Sequence, residues 1–125
     1  MRKEAMKVVN LTRYALLGER VSEARTSLAR MKGLLGTETL PPGEGLWIFP
    51  CRSIHSFGMR YEFDALFVDP DGTVVGAHRR FRKNRISRIF WEAKGVLELP
   101  AGTIDRTETR VGDVIEFQRA GGGAA

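Results

Sequence analysis

The feature that most restricts the fold of this chain is a series of short apolar runs separated by turn sequences. Leu46–Phe49, Phe63–Val68 and Val96–Leu99 place apolar residues at adjacent positions, which is typical of strands that are covered on both faces. Asp69–Gly72 is a strong hairpin turn between the run Phe63–Val68 and a returning strand at Thr73–Ala77. Since the runs do not alternate with helical patterns, they predict a mainly β fold, a compact β-sandwich or barrel-like domain.

A single segment shows helical periodicity. Its apolar side chains recur at intervals of three and four residues, at Leu28, Met31, Leu34 and Leu35. Thr26 or Ser27 can cap the start and Gly36 can close the end. We therefore expect one short helix over about residues 26–35, within a single β-rich domain over residues 1–119. The Gly/Ala composition of residues 120–125 predicts a flexible tail.

Composition limits the classes of protein that the chain can belong to. A length of 125 residues with 42% apolar residues is enough for one domain with a core. One Cys excludes an intrachain disulfide. Neither a secretory signal nor an apolar run of membrane-spanning length is visible. The sequence therefore predicts a cytoplasmic protein without a membrane span.

The net charge of +5 is concentrated in one part of the chain, since residues 72–91 contain no acidic residue. The basic residues of this block are Arg79, Arg80, Arg82, Lys83, Arg85 and Arg88. We expect an exposed basic loop. An alternative is an interaction module in which the loop contacts an anionic partner, through the phosphate groups of nucleic acid, lipid head groups or small anions.

Cys51, His55, Met59, Arg60 and Asp64 bring five chemically distinct side chains into fourteen residues. A thiol-dependent enzyme would use Cys51 as the nucleophile, His55 as its base and Asp64 to orient the imidazole. That chemistry requires the thiol and imidazole to lie within hydrogen-bond reach, and no oxyanion-hole motif is recognisable. We therefore treat catalysis as an alternative and lean towards a protein that is not an enzyme.

The same segment also suggests a metal, because the order Cys51, His55, Met59 is similar to the ligand loop of blue-copper proteins. Those sites need a second imidazole, but no His precedes Cys51 and His78 lies downstream, beside the basic block. A structural zinc needs four good ligands, and one Cys with two His falls short. We expect neither a metal nor another cofactor.

Two acids stand within the apolar runs, Asp64 and Glu98. A carboxylate among buried neighbours needs a cationic or hydrogen-bonding partner, and Arg60 and Arg30 are candidates. One interpretation is a structural ion pair, with Cys51 and its neighbours as ordinary packing residues. The interpretation that we favour is a small non-catalytic binding module. It would have a polar-lined pocket for a small ligand, anionic ligands included. Its predicted binding residues are Arg30, Trp47, His55, Phe57, Met59, Arg60, Asp64 and Glu98, with Cys51 at the frame of the pocket.

Taken in order, these motifs resemble the uncharacterised bacterial and archaeal family known as domain of unknown function 192. The resemblance runs from about Val8 to Gln118. It is carried by Arg30-x2-Gly33-Leu34-Leu35-Gly36, Gly45–Phe49, Cys51-x2-Ile54–Arg60, Asp64, Phe67–Asp69, Val96–Gly102 and Gly112-Asp113. Gly58 stands where the family often has a large aromatic, and Glu62-Phe63 precedes Asp64 where Pro is common. The resemblance implies a compact, mainly β fold with a short helix, and it implies no reaction, cofactor or partner.

Overall fold

The computed structural model describes residues 5–25 and 40–119. These residues form a mainly β fold with one described helix. The strands are β1 (Met6–Asn10), β2 (Ala15–Ala24), β3 (Glu44–Ile48), β4 (Phe63–Val68), β5 (Val74–Phe81), β6 (Gly95–Pro100) and β7 (Ile115–Arg119), and the helix is α1 (Thr103–Thr107). The helix predicted over residues 26–35, together with Arg30, lies outside the described residues, as does the predicted tail.

All seven strands belong to one sheet in the order β5-β4-β6-β3-β2-β1-β7. Every pairing is antiparallel except that of β2 with β3. The two edge strands approach each other where they begin, because Val74 N–H donates to the Asp113 carbonyl at 2.9 Å and Ile115 N–H donates to the Gly72 carbonyl at 2.8 Å. The sheet is therefore curled into a half-barrel, and the prediction of a mainly β, barrel-like fold is confirmed.

Each face of the sheet carries its own core. Along β4, Phe63, Ala65 and Phe67 belong to one buried cluster, which we call the Phe67 face. Leu66 and Val68 belong to a second cluster, which we call the Leu66 face. Since successive side chains of a strand point to opposite faces, burial of all six β4 residues means that both faces are covered, as the uninterrupted apolar run predicts.

The basic block is an ordered part of the fold. β5 extends through Phe81, so that Arg79 and Arg80 lie in a strand. Residues 84–94 then pair with the segment that follows β3. Ser87 N–H donates to the Ile54 carbonyl at 2.8 Å, and Ser56 N–H donates to the Arg85 carbonyl at 2.8 Å. The prediction of a simple exposed loop is therefore incomplete, because backbone hydrogen bonds tie residues 84–94 to residues 51–56.

The side chain of Phe90 packs this paired region against the sheet. Its ring stacks on Phe67 with a centroid separation of 4.1 Å. Phe67 is paired across strands with Gly76, and a Cβ atom at Gly76 would collide with the Phe90 ring. The missing side chain of Gly76 is what allows the ring to lie flat against the strand.

Candidate functional site

Asp64 is fully buried, and among the described residues backbone N–H groups hold its carboxylate. Its Oδ1 atom accepts the Arg80 N–H at 2.8 Å, and its Oδ2 atom accepts the Ile104 N–H at 2.7 Å. Backbone N–H groups therefore satisfy this carboxylate, rather than the Arg60 side chain considered from the sequence. The other candidate partner, Arg30, lies outside the described residues. Both oxygens are engaged in joining β4 to β5 and to α1, which is a structural task.

Glu98 is also fully buried, but on the opposite side of the sheet from Asp64. Glu98 pairs with Ala65 across the β6–β4 ladder and with Leu46 across the β6–β3 ladder, so it lies on the Phe67 face. Asp64 pairs with Leu99, a residue of the Leu66 face. The two predicted binding residues therefore point to opposite faces of the sheet and do not line one cavity together.

Cys51 and His55 lie on the paired segment after β3, and both are half-buried. The Cys51 thiol donates to the Ser53 carbonyl at 3.0 Å. The His55 Nδ1 atom accepts the Phe57 N–H at 3.3 Å. Because both Asp64 oxygens are used at the far side of β4, Asp64 does not orient the His55 imidazole. The third member of the predicted Cys–His–Asp arrangement is thus placed elsewhere.

The other predicted binding residues after Cys51 are divided between core and solvent. Met59 is 5% exposed and packs within the Phe67 face. Phe57 is 52% exposed and stacks on His55 with a centroid separation of 5.5 Å. Arg60 is exposed. The segment therefore contributes Met59 to the core, and Phe57 and Arg60 to the surface.

Trp47, which the sequence also assigned to the pocket, lies in a groove at one end of the half-barrel. The Trp47 ring is tilted against Phe117, with a centroid separation of 4.7 Å, and stacked on Phe49 at 5.8 Å. The groove has a volume of about 510 Å³. It lies between the ends of β2, β3, β4 and β7 and the turn after β4, and its lining includes Glu23, Arg25, Val68, Pro70, Lys94, Glu116 and Arg119. Mouths of barrels are common positions for small-molecule sites.

Charged groups surround the aromatic wall of this groove. The Arg25 guanidinium lies 4.9 Å from the Phe49 ring centroid, and the Lys94 ammonium lies 5.7 Å from it on the same ring. Arg119 makes two bonds to the Glu23 carboxylate, at 2.8 and 3.0 Å. Within residues 5–25 and 40–119, Arg25 and Lys94 form no ion pair with a carboxylate. Arg25 and Lys94 therefore place two positive charges beside the Phe49 ring.

The acids around the groove differ in their hydrogen bonding and in their exposure to solvent. Glu23 is bonded to Arg119, and the Asp69 Oδ1 atom accepts the N–H groups of Asp71 and Thr73 at 2.9 Å, which holds the hairpin turn. Asp71 and Glu116 are exposed at the rim. Hydrogen bonds thus hold Glu23 and Asp69 in fixed positions, whereas Arg25 and Lys94 are the cations that lie near the Phe49 ring.

A second cavity of about 520 Å³ adjoins the groove and contains Cys51. It shares Pro70 and Lys94 with the groove, and its lining otherwise consists of Pro50, Arg52, Glu92 and Ala93. His55 is not among these lining residues. Cys51 is thus accessible from a hollow, but the imidazole predicted to activate it does not line the same hollow.

The part of the site that sequence reasoning missed comes from distant segments. Phe49 stands two residues after Trp47, so the same-face spacing of a strand could have linked them. Arg25, Lys94 and Phe117 carry no local signal, because only the curl of the sheet brings β2, β6 and β7 to one mouth.

A buried polar cluster was also missed. Asn10 donates to Thr109 at 2.9 Å and to Asp113 at 3.0 Å, and Arg13 donates to Asp113 at 3.0 Å. Burial acts to raise the pKa of Asp113, but the bonds from Arg13, from Asn10 and from the Arg110 N–H, with the charge of Arg13, hold that pKa below its ordinary value. The cluster fixes the β1–β2 turn against the segment before β7.

Among the described residues, no group of three or more His, Cys, Asp and Glu side chains is arranged to hold a metal ion. In the same part of the chain, no helix has both the length and the apolar character required to cross a membrane.

A small half-barrel with a groove at its mouth defines the class of this molecule, and solved structures share the fold. A protein of unknown function from Novosphingobium aromaticivorans superposes with a TM-score of 0.75 at 22% identity, over 90% of this chain and 83% of that one. A candidate transcription regulator from Sinorhizobium meliloti also gives 0.75, at 23% identity, over 93% and 94% of the two chains. At these identities the likeness concerns the fold alone.

The family follows from sequence. A model described as uncharacterized ACR, domain of unknown function 192, matches residues 11–117. A UPF0127 protein from Thermococcus sibiricus is 30% identical over 116 residues, which span 89% of this chain and 74% of the relative. The chain therefore belongs to the domain of unknown function 192 family, a family of unknown function, and the resemblance noted from its motifs is confirmed.

Proposed function

We propose that this protein is a small-molecule binding module whose groove at the mouth of the half-barrel takes a planar anion. The observation that carries the proposal is the aromatic wall of Trp47, Phe49 and Phe117 flanked by the cations Arg25 and Lys94. Flat apolar surface favours a ring, and cations without a carboxylate partner favour an anionic group beside that ring.

The dimensions of the groove agree with such a ligand. A volume of about 510 Å³ lies inside the range of roughly 300–1,000 Å³ that is usual for small-molecule pockets. Trp47 is 6% exposed and packed between neighbours, so the wall is present before a ligand arrives. A wall that needs little ordering reduces the entropic cost of binding.

Calorimetric titration with naphthoate and with its neutral analogue naphthamide tests the proposal. Both compounds present the same rings, but naphthoate alone can interact with Arg25 and Lys94. We expect naphthoate to bind about fivefold more tightly, the size of effect that one partly exposed charge interaction gives. Equal affinity for the two compounds would show that the cations play no part in recognition.

Two substitutions separate the groove from the rest of the surface. Lys94→Gln is expected to remove much of the preference for naphthoate, while the matched change Lys83→Gln on the exposed basic block is expected to leave it unaltered. Phe117→Ala should weaken both compounds because it removes one side of the wall. Unchanged binding by Phe117→Ala would place the ligand elsewhere.

A thiol-dependent reaction is the second candidate function, because Cys51 lines the cavity that adjoins the groove. Thiol labelling as a function of pH distinguishes the two. A catalytic thiolate would react with an apparent pKa well below about 8.5. The binding module predicts labelling that accelerates only near or above that value, and a Cys51→Ser variant that still binds naphthoate.

A further inference from the structure

The two paired segments after β3 and β5 expose large apolar side chains to solvent. Trp91 is 72% exposed, Ile86 is 69%, Phe57 is 52% and Ile89 is 44%. We call the exposed side chains of residues 52–57 and 82–91 the loop face. A concentration of exposed apolar groups on two short paired segments points to an interaction surface.

Backbone and ring contacts hold this face together. Ile86 pairs with His55 in an antiparallel bridge, and the Phe57 ring stacks on His55, so Ile86 and Phe57 flank one imidazole. At the other end, the Arg52 Nε–H donates to the Trp91 carbonyl at 3.1 Å. The Phe90 N–H donates to the Arg52 carbonyl at 2.7 Å. The apolar groups are thus displayed from an ordered platform.

The same face is strongly basic. Residues 50–61 contain no acidic residue, and neither do residues 72–91. The exposed cations of the face are Arg52, Arg82, Lys83, Arg85 and Arg88. Arg85 and Arg88 donate to the carbonyls of Asn84 and Ile89, at 3.4 and 3.2 Å. Among the described residues none of the five meets a carboxylate, whereas Arg79, away from this face, binds Asp105 at 2.6 Å.

We propose that the loop face docks on an anionic lipid surface, with Ile86 and Trp91 entering the interfacial layer and the arginines at the lipid phosphates. Amphipathic Trp and Arg side chains suit this layer, where one end of the group is apolar and the other is hydrated. The five exposed cations outnumber the adjoining acid, Glu92, and this excess positive charge is complementary to anionic head groups. This surface is separate from the groove, so the inference does not depend on the proposed ligand.

The side chains favour a lipid surface over a single-stranded nucleic acid. Bases stack on aromatic rings, and Ile86 and Ile89 have no ring to offer. The transfer of exposed aliphatic groups from water into an apolar layer is favourable in free energy. A phosphate backbone does not provide such a layer. Only Trp91 and Phe57 offer rings on which bases could stack, so binding to single-stranded DNA is the competing outcome.

Co-sedimentation with vesicles tests the proposal on the full chain. We expect binding to phosphatidylcholine vesicles that contain about one-third phosphatidylglycerol, weak binding to phosphatidylcholine alone, and a blue shift of Trp91 emission on binding. The bound fraction should fall as salt is raised. Removing charge by Arg85→Gln with Arg88→Gln should weaken binding by about fivefold for each cation, and Ile86→Ser should weaken it further.

Matched variants away from the face serve as controls. Arg106→Gln with Arg110→Gln removes two other exposed cations. Val111→Ser removes an apolar side chain of a residue that is 61% exposed. Both should bind vesicles like the wild type, and all variants should unfold at similar temperatures. Equal binding to both kinds of vesicle, loss of binding in the controls, or retention on single-stranded DNA without vesicle binding would each overturn the proposal.

Discussion

At the level of single residues, Asp64 connects three elements through one side chain. The carboxylate lies on β4, and it accepts one N–H from Arg80 in β5 and one from Ile104 in α1. The chain bends at Arg80 in β5, because this residue has a φ of 48° and interrupts the regular strand. A short charged acceptor in the core therefore compensates for backbone groups that the bend and the helix start leave without strand or helix partners.

Asp64→Asn tests this structural role. The amide can accept at one atom only, so one of the two buried N–H groups would face an NH₂ group. We expect a loss of about 1–3 kcal/mol in the free energy of unfolding, the cost of a buried hydrogen bond to a charged group, measured by urea denaturation. The exposed control Asp71→Asn should stay within about 0.5 kcal/mol of wild type. A destabilisation no larger than that of the control would contradict the assignment.

His78 is the second residue whose environment has a measurable consequence. Its ring contacts Phe67, Phe81 and Phe90, and its buried Nε2 atom has no hydrogen-bond partner among the described residues. Burial, and then the charge of Arg88, lower the pKa of His78 below its ordinary value of 6.5. The folded protein therefore favours the neutral imidazole.

The sign of the pH dependence follows from that shift. Below about pH 6.5 the unfolded chain binds a proton at His78 more readily than the folded chain, so stability falls as the pH drops towards the folded pKa. His78→Phe should reduce this slope between neutral and mildly acidic pH. A proton NMR titration should give His78 a pKa below 6.5 in wild type and one closer to 6.5 in Arg88→Gln. A wild-type value above 6.5 would contradict the account.

At the level of elements, β5 and the paired loop depend on one another through Gly76. The strand offers a flat surface where Gly76 faces Phe90, and Phe90 in turn stacks on Phe67. Arg88 lies over the outer face of the Phe90 ring, 3.9 Å from its centroid. The loop face is therefore positioned by the packing of Phe90 against Phe67 and His78, in addition to its backbone pairing.

Gly76→Ala should release that contact. The added Cβ atom would collide with the Phe90 ring, and overpacking of this kind costs about 1–3 kcal/mol. We expect faster tryptic cleavage within residues 82–88, followed by mass spectrometry. Phe90→Leu should partly rescue Gly76→Ala because it removes the colliding atoms. An alanine variant with wild-type cleavage, or a double variant whose losses simply add, would contradict this coupling.

At the level of the whole molecule, the curl of the sheet creates the groove. The Leu66 face lines the inside of the half-barrel, and the groove opens where β2, β3 and β4 end and β7 passes. The polar cluster around Asp113 and the backbone bonds between the two edges hold that curl. The position of the candidate site is thus a property of the closed shape rather than of one motif.

This explains which parts of the molecule the sequence could predict. Strands with apolar residues on both faces are local patterns, so β3, β4 and β6 were predictable. The segment from Cys51 to Asp64 looked like one site because its polar groups are close in sequence. In three dimensions, strand alternation and pairing separate them, since Asp64 turns to the Leu66 face while Cys51 packs against the Phe67 face. The groove residues at the end of β2, just before β6 and in β7 could be grouped only once the fold was known.

The most direct test of the account uses the two tryptophans as internal reporters. A nitrogen–proton correlation spectrum shows one indole signal for Trp47, in the groove wall, and one for Trp91, on the loop face. Titration with naphthoate should shift the Trp47 signal progressively and saturably, leave the Trp91 signal in place, and show a smaller shift in Lys94→Gln. A shift of Trp91 with Trp47 unmoved, or no shift of either signal, would contradict the groove as the binding site.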